Sequence, residues 1–140
     1  MKKFLSFLAF GAVILSLSGC TTKQIINPVT NIEKKDVCIT ENKLVKGDFL
    51  RVFTDTLREK EYKVTLKQAY DNVEDCYLRA DYTANWSWDL AVYMIYANIK
   101  VFEKGNLRGE AIYDARHNVG FGKFINGADK IRELVIGLFE

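Results

Sequence analysis

The spacing of apolar positions changes several times along the chain, and each change marks an element. Val37-Cys38-Ile39-Thr40 is a short β-branched run that reads as a strand. From Asp48, a suitable N-cap, Phe49, Val52, Phe53 and Leu57 recur at helical spacing, with Arg51, Asp55, Arg58 and Glu59 on the other side. That pattern predicts a helix packing one face on a sheet. Tyr62-Lys63-Val64-Thr65-Leu66 alternates as a second strand, close enough to predict a right-handed strand-helix-strand crossover with parallel pairing. Residues 67–77 read as a loop carrying Cys76. The long extended region from Leu78 to Phe102 predicts two antiparallel strands joined at Trp86-Ser87-Trp88-Asp89. Glu103-Lys104-Gly105-Asn106 is a hairpin turn, glycine and asparagine supplying positive φ, before a fifth strand from Leu107 to Arg116. A closing helix from about Ala128 to Phe139 places Ala128, Ile131, Leu134, Val135 and Leu138 on one face. The fold expected is α+β: a two-layer sandwich, with a mixed sheet of about five strands in the order β-α-β-β-β-β-α and two helices on one face.

The strand from Leu90 to Phe102 is apolar on both sides at its start. Ala91, Tyr93, Ile95, Ala97, Ile99 and Val101 lie on one side, and Leu90, Val92, Met94 and Tyr96 on the other. If both helices cover the same face, the opposite face presents an apolar patch of Trp86, Trp88, Leu90, Val92, Met94 and Tyr96, and such patches mark contact surfaces. The alternative is that the loop at 67–77, the N-terminal segment or a strong sheet twist covers it.

Ahead of these elements, Met1-Lys2-Lys3, the apolar stretch from Phe4 to Leu17 and the sequence Leu17-Ser18-Gly19-Cys20 resemble a bacterial lipoprotein signal with its lipobox. About 14 apolar or small residues make some 21 Å of helix against a hydrocarbon core of roughly 30 Å, so a spanning anchor is disfavoured. The resemblance implies cleavage before Cys20 and acylation of that cysteine by three fatty chains, which anchor durably without a spanning segment. Thr21 stands where enteric lipoproteins kept at the inner membrane carry aspartate. The likeness therefore implies the outer membrane, with the domain facing the periplasm. The next residues, to about Lys35, are polar, short of large apolar side chains, and hold the single proline, Pro28, so they read as a tether. The expected organisation is a signal peptide at 1–19, a lipidated N-terminus and flexible tether at 20–35, and one α+β periplasmic domain at 36–140.

Cleavage also changes the charge. The whole chain has 20 basic and 18 acidic residues, and the signal removes Lys2 and Lys3, leaving eighteen of each. No basic field remains to recruit nucleic acid. With Cys20 assigned to lipid, Cys38 and Cys76 are left as an even pair in an oxidising compartment, where a disulfide is expected over two buried free thiols. Metal binding is not expected, because His117 is the lone histidine and no Cys-x-x-Cys spacing occurs.

Catalytic chemistry finds little support. Residues 117–127 place glycines before Lys123, but Phe124 occupies the position where a phosphate-binding loop needs serine or threonine. His117 has no nucleophile with a recognisable motif beside it. Glu110 and Asp114 share a strand face about 13 Å apart, too far for a carboxylate pair, and read as a solvated face. No catalytic residue and no cofactor is expected.

The Val-Cys-Ile strand, Tyr82-Thr83-Ala84-Asn85-Trp86-Ser87-Trp88-Asp89-Leu90 and Gly122-Lys123-Phe124-Ile125-Asn126 resemble a family of small, functionally uncharacterised lipoproteins of Gram-negative bacteria. That resemblance implies no activity. The reading favoured is a non-enzymatic interaction module, held to the membrane through Cys20, that meets an envelope protein or a second copy of itself. The alternative is a binder of a small apolar or envelope-derived ligand, in a pocket lined by Trp86, Trp88, Tyr93 or Tyr96.

Overall fold

The computed structural model describes residues 22–140. Residues 1–21, with the lipobox and Cys20, lie outside the described residues. Six strands and two helices follow in the order β1 (Lys23–Asn27), β2 (Asp36–Thr40), α1 (Gly47–Glu59), β3 (Lys63–Lys67), β4 (Leu78–Asp89), β5 (Ala91–Glu103), β6 (Asn106–Asp114) and α2 (Gly127–Leu138). They build one sheet of order β1-β6-β5-β4-β2-β3. Strand β2 runs parallel to both β3 and β4, and β4, β5, β6 and β1 pair antiparallel. The two-layer α+β arrangement expected from the pattern is the one observed, with six strands where about five were expected.

Both helices cover the same face. Phe49, Phe53 and Leu57 of α1 and Ile131, Leu134, Val135 and Leu138 of α2 are buried against Val37, Ile39, Ala80, Tyr82, Ile99, Val101, Ala111 and Tyr113 of the sheet. Phe49 stacks on Tyr82 with ring centroids 5.0 Å apart, and Phe139, just past α2, meets Phe53 and Tyr62. Thr54 and Thr56 are buried in α1 without penalty, because their hydroxyls donate to the carbonyls of Arg51 and Val52. Asp48 lies in the first turn of α1 instead of capping it; Lys46 holds the cap position. Asn126 does cap α2, its side chain accepting from the Asp129 N–H, and Ala128, expected on the buried face, is exposed.

The expected tether at 20–35 is corrected by the structure. Lys23–Asn27 pairs in full register with Glu110–Asp114 of β6, and the Val29 N–H donates to the Leu138 carbonyl at 2.8 Å, satisfying an orphan acceptor at the end of α2. The segment is therefore the sixth strand and a clamp on the last helix. Two turns also differ from expectation. Positive φ between β5 and β6 falls on Lys104 (49°) and Gly105 (80°), a type I′ pair, while Asn106 already belongs to the strand. Between β4 and β5 the chain reverses at Leu90 alone, so Trp86-Ser87-Trp88-Asp89 is strand.

Cys38 and Cys76 are joined by a disulfide, with Cα atoms 5.8 Å apart. The bond lies on the face away from the helices and ties the loop before β4 to strand β2. Closing a loop of 38 residues limits the unfolded chain. Replacing both cysteines by alanine should lower the free energy of unfolding by about 2–4 kcal/mol in urea titrations. Gly109 makes a second structural demand. A Cβ there would lie 2.6 Å from Val29 Cγ2 and 3.0 Å from both the Asn27 carbonyl oxygen and Leu138 Cδ1. Gly109→Ala should cost about 1–3 kcal/mol by pushing the β1 segment from the sheet; an unchanged urea midpoint would refute that packing.

Candidate interaction surface

Strands β4 and β5 outrun the rest of the sheet. Strand β6 reaches β5 only as far as the pair Tyr96↔Asp114, and β2 pairs β4 only over Leu78–Ala80. From there to Leu90 the two strands continue as a hairpin with no further strand beside them. A bulge interrupts it: Asn85 faces Tyr96 but Trp86 faces Met94, leaving Ile95 as the extra residue. One extra residue reverses the alternation of everything beyond it. Val92 and Met94 therefore turn to the helix side, whereas Tyr96 keeps to the open side.

That reversal divides the six residues expected to form one patch. Met94 is fully buried (0 % exposed), and Trp86 is half-buried, its ring edge-on to Phe49 at 6.4 Å with Lys46 Nζ 5.8 Å from the ring centroid. The start of α2 at Gly127 comes close enough that a Cβ there would sit 3.9 Å from both Met94 Cβ and Trp86 Nε1. Helical cover ends at this level. Beyond it Trp88 (70 %), Leu90 (89 %) and Val92 stand exposed at the hairpin end. Tyr96 lies on the other face under the Arg116 guanidinium, 4.5 Å from the ring centroid. The expectation of one apolar face opposite the helices is corrected: of the six residues, the exposed ones, Trp88, Leu90 and Val92, are at an end of the molecule, not on a face.

The loop after β6 adds to this end. It runs beside β5 where β6 has stopped, the Ala115 N–H donating to the Ile95 carbonyl, and makes a short 3-10 turn at Phe121–Lys123. Phe124 packs edge-on to Tyr93 at 5.1 Å, and Lys123 Nζ reaches the Asp89 carboxylate at 2.6 Å. That bond holds the Lys123 ammonium above the usual lysine range. The lysine of the glycine-rich segment thus neutralises the hairpin's own acid. Val119 and Phe121 (93 %) project from the same loop. These two were missed in the sequence, because isolated apolar residues among glycines carry no periodicity; their exposure is visible only in the fold.

The open face of the sheet is polar. Arg79 pairs with Asp81, Lys100 with Glu110, and Asn98 Nδ2 donates to Glu110. Glu110 and Asp114 are each occupied by a separate cation and do not converge. Beyond β2 and β3, a groove of about 760 Å³ is lined by Thr40, Asn42, Gln68, Tyr70, Asp81 and Tyr82, among others. None of the tryptophans or tyrosines expected in an aromatic pocket lines it. Among the described residues no three histidine, cysteine or acidic side chains group as metal ligands, and no helix is long and apolar enough to cross a membrane.

Asp114 is the most perturbed acid on this face. Arg116 donates Nη2 to Oδ2 at 2.6 Å, Nε to Oδ1 at 2.9 Å and its backbone N–H to Oδ1 at 3.1 Å, holding the carboxyl at about 2 from an ordinary 3.8. A folded value below the unfolded one contributes stability above pH 3.8 that is lost as pH falls from 3.8 towards 2. In Arg116→Ala the Asp114 carboxyl should titrate near the ordinary value by NMR, and stability should fall less over that acid range than in the parent.

The sequence matches no known family profile and no curated protein. Among solved structures the chain is similar to the PelC dodecamer from Paraburkholderia phytofirmans, with a TM-score of 0.56 at 11% identity over 84% of this chain and 98% of that one. It is likewise similar to a single-substitution variant of the same dodecamer, with a TM-score of 0.53 at 9% identity over 82% of this chain and 92% of that one. Identities this low show a shared fold.

Proposed function

We propose that this chain is a lipoprotein of the outer membrane, acylated at Cys20, whose periplasmic domain works as a non-enzymatic interaction module. The observation carrying this reading is the cysteine count. Of three cysteines, Cys38 and Cys76 are bonded to each other, which leaves Cys20 alone at the end of the apolar leader. A disulfide suits an oxidising compartment, and the leader suits export to one. The partner is an envelope protein or further copies of this chain. Self-association has in its favour that the PelC structures sharing the fold are dodecamers. The alternative of a small ligand has the groove beside Tyr82 in its favour, whose volume falls within the range of ligand pockets. Its lining mixes the apolar surfaces of Ala69, Tyr70 and Tyr82 with polar groups of Asn42, Gln68 and Asp81, which suits an amphipathic envelope-derived ligand better than a purely apolar one.

Intact mass of the membrane-extracted protein should give a chain beginning at Cys20 and carrying fatty acyl groups. A chain that retains residues 1–19, or ends bare at its N-terminus, would sink the lipoprotein reading. Crosslinking in intact envelopes should capture the same partner reproducibly, either a ladder of this chain or one other protein. Recovery of neither counts against the interaction module.

A further inference from the structure

We propose that the free end of the β4–β5 hairpin is a membrane-insertion element: Trp88, Leu90 and Val92, with Val119, Phe121 and Phe124 of the adjoining loop, sink into the lipid surface that holds the chain. This rests on the reading of Cys20 as the acylated residue.

The position of the N-terminus is the first support. Thr22 Oγ1 accepts a hydrogen bond from Asn118 Nδ2 at 2.8 Å, so the described chain begins against the very loop that carries Val119 and Phe121. Cys20 lies two residues earlier, within about 7 Å of Thr22 even if fully extended. The lipid surface is thus brought to this end of the domain.

Relative height is the second. Lys23, Asp114 and Tyr96 share one rung of the sheet, and β1 and β5 run in the same direction. Counting from that rung towards the N-terminal ends, Thr22, where the described chain begins, is one residue away, about 3 Å, and Leu90 is six, one of them the extra Ile95, which leaves about 17 Å of ladder. Two residues let Cys20 reach at most about 7 Å beyond Thr22, so the hairpin apex extends about 7 Å or more past any position the anchor can take, comparable to the depth at which interfacial elements bury in a bilayer.

The third support is chemical. Trp88 and Val92 point to the helix side, Tyr93 and Phe124 pack on the other, and Leu90 forms the apex with φ of 62°, a left-handed conformation disfavoured for leucine. Apolar side chains therefore stand on both sides of the tip, the arrangement needed by an element that lipid surrounds. The carboxylate on this end, Asp89, is neutralised by Lys123, which lowers the cost of bringing it to the interface. Trp and Tyr side chains are those favoured at the headgroup level.

Tryptophan emission tests this directly, since the chain has only Trp86 and Trp88. The full chain, extracted from membranes and checked for acylation by mass, is reconstituted into phosphatidylcholine vesicles with brominated acyl chains. Brominated lipid should quench the emission of the parent protein. Trp88→Phe should lose most of that quenching, because Trp86 stays under Phe49 and α2, and adding Phe121→Trp to Trp88→Phe should restore it. An acylated chain whose emission ignores brominated lipid overturns the insertion while leaving the anchor standing. A chain without acyl groups overturns both. Crosslinks between copies at the hairpin end, with Trp88 unquenched, overturn the insertion in favour of a subunit contact.

Discussion

The helical layer is shorter than the sheet it covers, and most of what distinguishes this molecule follows from that mismatch. Apolar burial must stop where Phe49 and the start of α2 stop, at the level of Trp86 and Met94. Up to that level the sheet's inner face is filled by interlocked aromatic and aliphatic side chains, and single-methyl changes are felt. Past it the same two strands carry on with large apolar side chains and no layer above them. Among the described residues, Leu44, Leu66, Tyr70, Leu107 and Ile136 are exposed at scattered places as on an ordinary surface, whereas Trp88, Leu90, Val92, Val119, Phe121 and Phe124 gather where the hairpin and the loop after β6 meet the N-terminal entry.

The elements with strong internal period were legible from the residues alone. Phe49, Phe53 and Leu57 give α1 its buried stripe, Ile131, Leu134, Val135 and Leu138 give α2 its own, and the alternation of β6 survives from Leu107 to Tyr113 with one irregularity near Arg108. What alternation cannot reveal is a residue that does not count. Ile95 is extra to the ladder, and reading straight through it put Met94 and Val92 on the same side as Tyr96. A β-branched residue in an apolar run gives no hint of a bulge; only the register with Asn85 and Trp86 exposes it.

Strand β1 was illegible for a different reason. Lys23-Gln24-Ile25-Ile26-Asn27 is short, mostly polar and followed by Pro28, so locally it has the composition of a linker. Its place is set by distant partners: Ile26 packs into the core, Gln24 Nε2 donates to Glu133, and Val29 fills the space that Gly109 leaves open. Tertiary context overrides local preference here. The disulfide, by contrast, was legible because, once Cys20 is set apart at the end of the apolar leader, parity leaves Cys38 and Cys76 as a pair, and pairing is a count that local conformation does not hide.

The pairing of β1 with β6 also imposes an order of events on the newborn chain. Lys23 lies opposite Asp114, about ninety residues away, so the sheet closes across nearly the whole polypeptide. Synthesis delivers the N-terminus first. The earliest strand to appear is thus the last to find its neighbour, and until the final third of the chain has arrived, Ile25 and Ile26 wait with unpaired backbone groups. Lys23, flanking that pair of isoleucines, places a positive charge where a waiting edge most needs protection from a second copy.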